Sequence, residues 1–421
     1  MKLSENINAY TFFLDNLDLF SDLQKEESIR LPIPDIKNKN NKKEYSSLIY
    51  IKKNNNEKIP LVIKNEKEEN ELMFNVKEYF QLIIKENYYK FPKSFIIPGN
   101  SGYQFIPSNV RHKIFKKIVE LSLFIENKII NKNNHIFPKW PIDISLEMLW
   151  IILEKFFPGC TGLQRFTWPK HKKSAVALTH DVESEKGQFI ADEIANIEEA
   201  EGFRSCWYFS THTFKIDHSL IKRLHQAGHE IGSHDAYHDM CTAFLNKDKR
   251  NKRLKISREY IRDYSPNICG YRSPGLVRTR ELFMDLSKYY TYDSSVPDTE
   301  WVPGLRKEGG CLSFFPFFRD DILVLPVTMP QDIILYLHNY SFPKIFELWK
   351  LKLSLIHEFG GMAMLITHVE PHLGANKKFL NYYRDFLRYI KNINNIWIAL
   401  PKDIAKHWLD SFSYYKHNLI N

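Results

Sequence analysis

The chain has 421 residues, too many for one small domain, and its 43% hydrophobic fraction is enough to build large cores. A formal charge of +9 comes from 59 Lys plus Arg against 50 Asp plus Glu; with no focused basic face and no recognisable module, nucleic-acid binding is excluded as the main function. Five widely spaced cysteines (Cys160, Cys206, Cys241, Cys269 and Cys311) form no Cys-x-x-Cys pair, so they read as free thiols in a reducing compartment.

Taken in chain order, residues 1–20 are interrupted by Glu5, Asp15 and Asp18 and show no signal-peptide pattern. No apolar run of 18 residues occurs, so no membrane span is expected and a cytoplasmic location is the expectation. Residues 7–28 and 108–130 have helical apolar spacing. Residues 36–57, rich in Asn and Lys, read as a loop or exposed hairpin, with strands at 47–52 and 61–63. A further helix is expected over 146–157. Phe137-Pro138-Lys139-Trp140-Pro141 punctuates the chain, and a boundary is placed near 140–170. The basic runs at 37–53 and 247–258 read as solvated surface.

From residue 175 onward, strands and helices alternate. Strands are expected at 175–180, 204–210, 229–234, 267–272, 290–293, 322–327, 362–368 and 395–399. Helices are expected near 187–200, 218–227, 246–262, 279–288, 343–358, 376–391 and 401–412. Such alternation predicts an α/β architecture of parallel strands covered by helices, and seven or eight strands would close a barrel. The domain expectation is a mixed α/β accessory unit over 1–150 and a catalytic barrel over 165–421.

The chemistry gathers at strand ends. The segment Gly228-His229-Glu230-Ile231-Gly232-Ser233-His234-Asp235-Ala236-Tyr237-His238 ends in two histidines four positions apart. Alone, that pair also fits two histidines on a turn. Upstream, Thr179-His180-Asp181-Val182-Glu183 closes the apolar strand 175–178. Asp181 and Glu183, at i and i+2, share one side of an extended chain. Two imidazoles and one carboxylate can hold a divalent cation and leave positions open. Arg272, in Gly270-Tyr271-Arg272-Ser273-Pro274-Gly275, can pin a carboxylate by a charge-assisted hydrogen bond, or can simply cap a Pro/Gly turn. His368, in Ile366-Thr367-His368-Val369-Glu370-Pro371-His372, stands at another strand end and suits proton transfer near neutral pH.

Together these segments resemble the polysaccharide deacetylase family, carbohydrate esterase family four, over roughly residues 175–408. The resemblance implies a distorted (β/α) barrel of seven or eight strands and metal-dependent removal of N-acetyl or O-acetyl groups from sugars. It implies that Asp181 is the base, that His234 and His238 are metal ligands, that Arg272 tethers the base and that His368 is the general acid. The family's first motif carries two adjacent aspartates, the second a metal ligand. Here Val182 stands in that place, so Glu183 is expected as the third ligand. The fourth motif is not clear; Asp332 is the candidate for orienting His368. Zinc is the expected metal, with Co2+, Mn2+ or Fe2+ fitting the same donors. The oxyanion is expected to rest on the metal and on a backbone N–H near Tyr271.

Three functions stay open on the sequence. One is metal-dependent deacetylation of an amino sugar in a glycan or glycan precursor. A second is hydrolysis of another non-peptide C–N bond without metal, and a third is a catalytically silent glycan-binding protein. The expected partner is an acetylated sugar or polysaccharide substrate, and the sequence does not read out an oligomeric state. His180, His225 and His229 are expected to be structural. His212 is a candidate pocket residue, Tyr292-Asp293-Ser294-Ser295 a candidate groove segment, Trp301 a candidate sugar-stacking ring and His372 a weaker substitute for His368.

Overall fold

The structure, a computed structural model, describes residues 47–52, 58–65, 67–88, 108–125, 138–157, 168–304, 307–370 and 373–418. The helix expected over 7–28, most of the 36–57 loop, Cys160 and His372 lie outside them.

The N-terminal part contains a three-stranded antiparallel sheet, β1 (Ser47–Lys52), β2 (Lys58–Lys64) and β3 (Asn70–Leu72). It also contains helices α1 (Val76–Ile84), α2 (Ser108–Ile125) and α3 (Ser145–Phe156). Leu61, Val62, Phe74, Phe80, Ile83, Leu149 and Leu153 form a core of their own, joined by Leu312 from much later in the chain. The Tyr88 hydroxyl donates to Gly310 O at 2.6 Å, and Phe314 N–H donates to Glu147 Oε1 at 3.1 Å. These buried bonds fasten the N-terminal part to the larger C-terminal part.

The C-terminal part alternates strand and helix as expected: β4 (Ser174–Val182), α4 (Glu185–Ala200), β5 (Cys206–Phe209), α5 (His218–Gln226), β6 (Glu230–Ser233), α6 (Lys247–Ile261), β7 (Gly270–Tyr271), α7 (Arg280–Leu286) and β8 (Tyr292–Asp293). A hairpin of β9 (Glu300–Val302) and β10 (Lys307–Gly309) interrupts this rhythm, succeeded by β11 (Phe317–Arg319) and β12 (Ile322–Val324). Then come α8 (Asp332–Leu337), α9 (Phe342–Phe359), β13 (Met362–His368), α10 (Lys377–Lys391), β14 (Ile396–Ile398) and α11 (Pro401–Asn418). The order across the main sheet is β11-β12-β8-β7-β6-β5-β4-β13, parallel except for β11 against β12. The fold is therefore mixed α/β, with a curled, mostly parallel sheet.

Strand parity sorts its side chains into two layers. On β4, Val176 and Leu178 join Trp207, Phe209 and Ile231 under the helices, while Ala175 and Ala177 face Tyr208, Tyr292, Met362 and Met364 in the barrel interior. Because β4 is buried along its whole length, it reads as a continuous apolar run rather than an alternating one. The curl is closed by few bonds: Met329 N–H donates to Met364 O at 3.1 Å, and the Thr328 hydroxyl donates to Met362 O at 2.6 Å. One edge of β4 is shared, with β14 on residues 174–176 and β5 on residues 179–182. Both features make the barrel irregular.

Candidate active site

Parity continues to the end of β4 and sets the site. Thr179 and Asp181 continue the inward series of Ala175 and Ala177, and Glu183 comes one step beyond. Ser184 then caps α4, its hydroxyl accepting from Gly187 N–H, so the chain turns away directly after Glu183. His180 points to the other face. It stacks on Trp207 at 4.1 Å and reaches Glu198 at 2.8 Å and Thr367 at 2.6 Å, so it belongs to the helix layer.

The register of β13 against β4 pairs His368 with Asp181. β6 ends at Ser233, delivering His234 to the same rim, and His238 comes next on a loop whose His238 N–H is held by Thr213 Oγ1 at 2.7 Å. Arg253, on α6, grips the neighbouring Asp239 through two bonds of 2.7 and 2.8 Å. That grip corrects the reading of the basic run 247–258 as solvated surface alone: Arg253 and Arg250, the latter paired to Asp285, are structural.

The structure brings together all seven residues singled out in the sequence. His238 Nε2 lies 3.0 Å from Glu183 Oε1, and His234 Nε2 lies 3.6 Å from the same oxygen. One donor atom from each of Glu183, His234 and His238 falls within a 4.8 Å group. The longer side chain of Glu183 therefore reaches the histidines despite Val182 in the preceding place. His234 Nδ1 sits 3.0 Å from the carbonyl of Arg272, which fixes the N–H there and aims Nε2 toward Glu183; burial lowers this ring, but Asp181 and Glu183 outweigh it and hold it above the ordinary imidazole value. That buried Nε2 has no hydrogen-bond partner among the described residues. A buried nitrogen so placed suits a divalent cation, whose binding would displace its proton.

Asp181 and His368 have opposite partners. Arg272 Nη1 donates to Asp181 Oδ1 at 2.8 Å, while its other nitrogens bond Ser294 O and Ser294 Oγ and its plane lies 4.2 Å over the Tyr208 ring. Burial pushes the Asp181 carboxyl up, but Arg272, His234 and His368 outweigh it and hold the group below its ordinary value. Glu183, buried likewise, is held well below by His238, His234 and His368. Burial keeps His238 below the usual imidazole value, so it stays a neutral donor. His368 is the reverse. Asp332, at the start of α8, accepts its backbone N–H at 2.8 Å and meets its Nδ1 at 2.6 Å. Burial lowers His368, yet Asp332 with Glu183 and Asp181 raises it to about 9, so the ring is protonated at neutral pH.

Several other expectations come out differently. Tyr292, Asp293, Ser294 and Ser295 are wholly buried and line no groove; Tyr292 bonds Glu230 at 2.6 Å and Ser294 supports Arg272. Next to Tyr271, the N–H groups of Arg272 and Ser273 are spent on Ser233 O and Ser295 Oγ, so neither is an oxyanion donor. Trp301 packs on Trp140 and His338, and His212 is exposed against Tyr237 and Tyr260. By contrast, His229 and His225 have structural contacts as expected: His229 accepts from Ser205 and Trp207, and His225 packs on Tyr264. The sequence reading missed a buried apolar cluster of Leu276, Val327 and Ile366, the last of them two residues before His368 on β13. It placed the helix α2 but missed that its buried Arg111 brings a charge within reach of His238. No local motif marks either; both arise from contacts between distant segments.

Family comparison decides the domain. A model of the polysaccharide deacetylase family matches residues 169–292. The chain carries a polysaccharide deacetylase domain. The matched stretch holds Asp181, Glu183, His234, His238 and Arg272, while Asp332 and His368 lie beyond it. Among solved structures, a protein assigned as a polysaccharide deacetylase from Mycobacterium smegmatis is 20% identical with TM-score 0.45, over 57% of this chain and 92% of its own. The allantoinase Puue is 15% identical with TM-score 0.46, over 59% and 95%. A family 4 carbohydrate esterase from Streptomyces lividans, in complex with acetate, is 13% identical with TM-score 0.37, over 54% and 93%. No curated protein matches the sequence.

Proposed function

We propose that the deacetylase domain is a metal-dependent hydrolase that removes an acetyl group, most directly an N-acetyl group, from a sugar of a glycan or glycan precursor. The observation that carries this reading is the convergence of Glu183, His234 and His238, with the buried His234 Nε2 held free for a ligand. Those three residues would hold the metal, zinc first, with Co2+, Mn2+ or Fe2+ fitting the same donors. When bound, the metal would supply Lewis-acid polarisation of the acyl carbonyl and acidify water. The protein's own groups account for the protons. Asp181, kept ionised by Arg272, is the base that takes the proton of the attacking water. His368, kept protonated by Asp332, gives a proton to the departing sugar nitrogen. The buried apolar cluster of Leu276, Val327 and Ile366 would give an acetyl methyl apolar surroundings. The products are acetate and a free amino sugar.

We assign the activity to the cytoplasm, before any export of the glycan, since the four described cysteines are free and buried and suit a reducing compartment. Among the described residues no helix is long and apolar enough to cross a membrane. A metal-free hydrolysis of another C–N bond is the second reading, favoured by Val182, which is buried in the helix layer where a second aspartate would otherwise stand. Elemental analysis of the purified protein separates the two. About one equivalent of metal, lost in the His234→Ala/His238→Ala double variant, is expected. A protein that stays metal-free after reconstitution contradicts the first reading.

A further inference from the structure

Loop 272–278 supplies the site with three things. The Arg272 guanidinium holds Asp181, the Arg272 carbonyl orients His234, and Leu276 builds the apolar cluster. The loop is not relaxed. Gly275 and Leu276 both have left-handed backbones, φ 58° and 52°, and only glycine adopts that region without cost. A Cβ at Gly275 would stand 3.0 Å from Met240 Sδ, two residues past His238. Something must hold this geometry. Arg278 does so from within, donating to the Leu276 carbonyl at 3.0 Å.

Arg278 is itself held from the N-terminal part. It is wholly buried, and Glu86 meets it through two bonds, Nε to Oε2 at 2.7 Å and Nη2 to Oε1 at 2.5 Å. Glu300 takes its remaining nitrogen at 3.0 Å, and Arg319 reaches Glu86 at 3.2 Å. The position of Glu86 is the second observation. α1 ends with Asn87 N–H donating to Leu82 O and Glu86 N–H donating to Ile83 O. This is the Schellman pattern, in which Glu86 occupies the left-handed place usually given to glycine. Its φ is 53°. A glutamate there carries a backbone cost that glycine would avoid, so helix capping does not explain it. The carboxylate does.

We infer that Glu86 is a positioning residue of the deacetylase site, through which the N-terminal part braces Arg278 and so fixes loop 272–278. This rests on the proposed metal-dependent site. It gives the N-terminal part a definite task, completing the site of the domain it precedes. Glu86 touches no reacting atom; it acts through Arg278.

The test compares the full chain with Glu86→Gly and Glu86→Gln, by hydrogen exchange and by titration with Co2+ monitored by visible absorption. Glycine suits the backbone at this place, so α1 stays protected in Glu86→Gly, while loop 272–278 exchanges faster. The Co2+ dissociation constant rises about 10–100-fold, the usual loss when support behind a ligand is removed. A merely structural role would lower overall stability and leave the metal affinity of the folded protein unchanged. A folded Glu86→Gly with wild-type protection over 272–278 and wild-type Co2+ affinity overturns the inference. Should Glu86→Gly fail to fold, Glu86→Gln, which keeps the shape and loses the charge, is judged by the same two readings. Should the wild type bind no Co2+, the functional reading fails, and the exchange comparison alone decides the role of Glu86.

Discussion

Asp181 and His368 stand side by side on adjacent strands, yet their surroundings push them to opposite protonation states. Arg272 keeps one ionised and Asp332 keeps the other protonated, which is the division of labour that acid–base hydrolysis needs. Asp181→Asn removes the proposed base and leaves the three proposed ligands in place. Turnover should fall by about 10²–10⁴ with metal content unchanged, checked by acetate release beside elemental analysis. Asp332→Asn weakens the hold on His368 Nδ1 and lowers the charge that raises it. We expect kcat to fall by a similar factor and KM to change little, and a kcat equal to wild type would remove Asp332 from the account. Much of this cluster was legible in the sequence because it is written locally. The i, i+2 spacing of Asp181 and Glu183 and the i, i+4 spacing of His234 and His238 each need only one short segment. Asp332 was legible only as a carboxylate just past a strand. Ser294, Tyr208 and Leu276 were not, because each acts on a residue from another strand, and no periodicity records which strands become neighbours.

The strands place these side chains, and two glycines let them. A Cβ on Gly232 would stand 2.5 Å from the Tyr208 ring, and one on Gly270 would stand 2.2 Å from Tyr292. Both rings fill the barrel interior below the site, with their hydroxyls 3.0 Å apart, and Tyr208 lies under Arg272. Gly270→Ala should therefore cost about 1–3 kcal/mol by overpacking and displace the Tyr292–Tyr208 pair. Thermal melting with parallel turnover assays checks this; a wild-type melting temperature would mean that the interior is looser than these distances state. The strand–helix alternation from residue 175 onward was legible because β4 and β13 are long apolar runs and helices such as α5 and α10 carry clear periodicity and side-chain caps. In that region the elements that escaped were β9, β10, β11 and α8; before it, β3 and α1 escaped as well. Three strands of three residues, among glycines and prolines, are too short to show a period of two, and the six-residue α8 shows only an apolar run.

At the scale of the molecule, the N-terminal part and the barrel share buried charge as well as apolar surface. Glu147, on α3, accepts one N–H from Phe314 and is otherwise enclosed, and burial raises its carboxyl to about 8. Glu147 is therefore protonated in the folded chain and ionised in the unfolded chain between about 4.5 and 8, so its contribution to stability is complete below that window and is lost as pH rises through it. The loss is on the order of 3–5 kcal/mol. Glu147→Gln keeps the acceptor for Phe314 and has no proton to lose, so it should match wild type near pH 4.5 and exceed it near pH 9. Chemical denaturation at both values checks this, and parallel curves for the two proteins would contradict it. The same junction holds Glu86, so the stability of the junction and the order of the site are expected to move together.

Acetate release from an N-acetylated amino sugar, measured while Zn2+ is returned stepwise to chelator-stripped protein, tests the central claim most directly. The account expects no turnover in the stripped protein and recovery complete at about one equivalent of zinc. Full turnover in the stripped protein would contradict it and leave hydrolysis by Asp181 and His368 without a metal as the chemistry of this site.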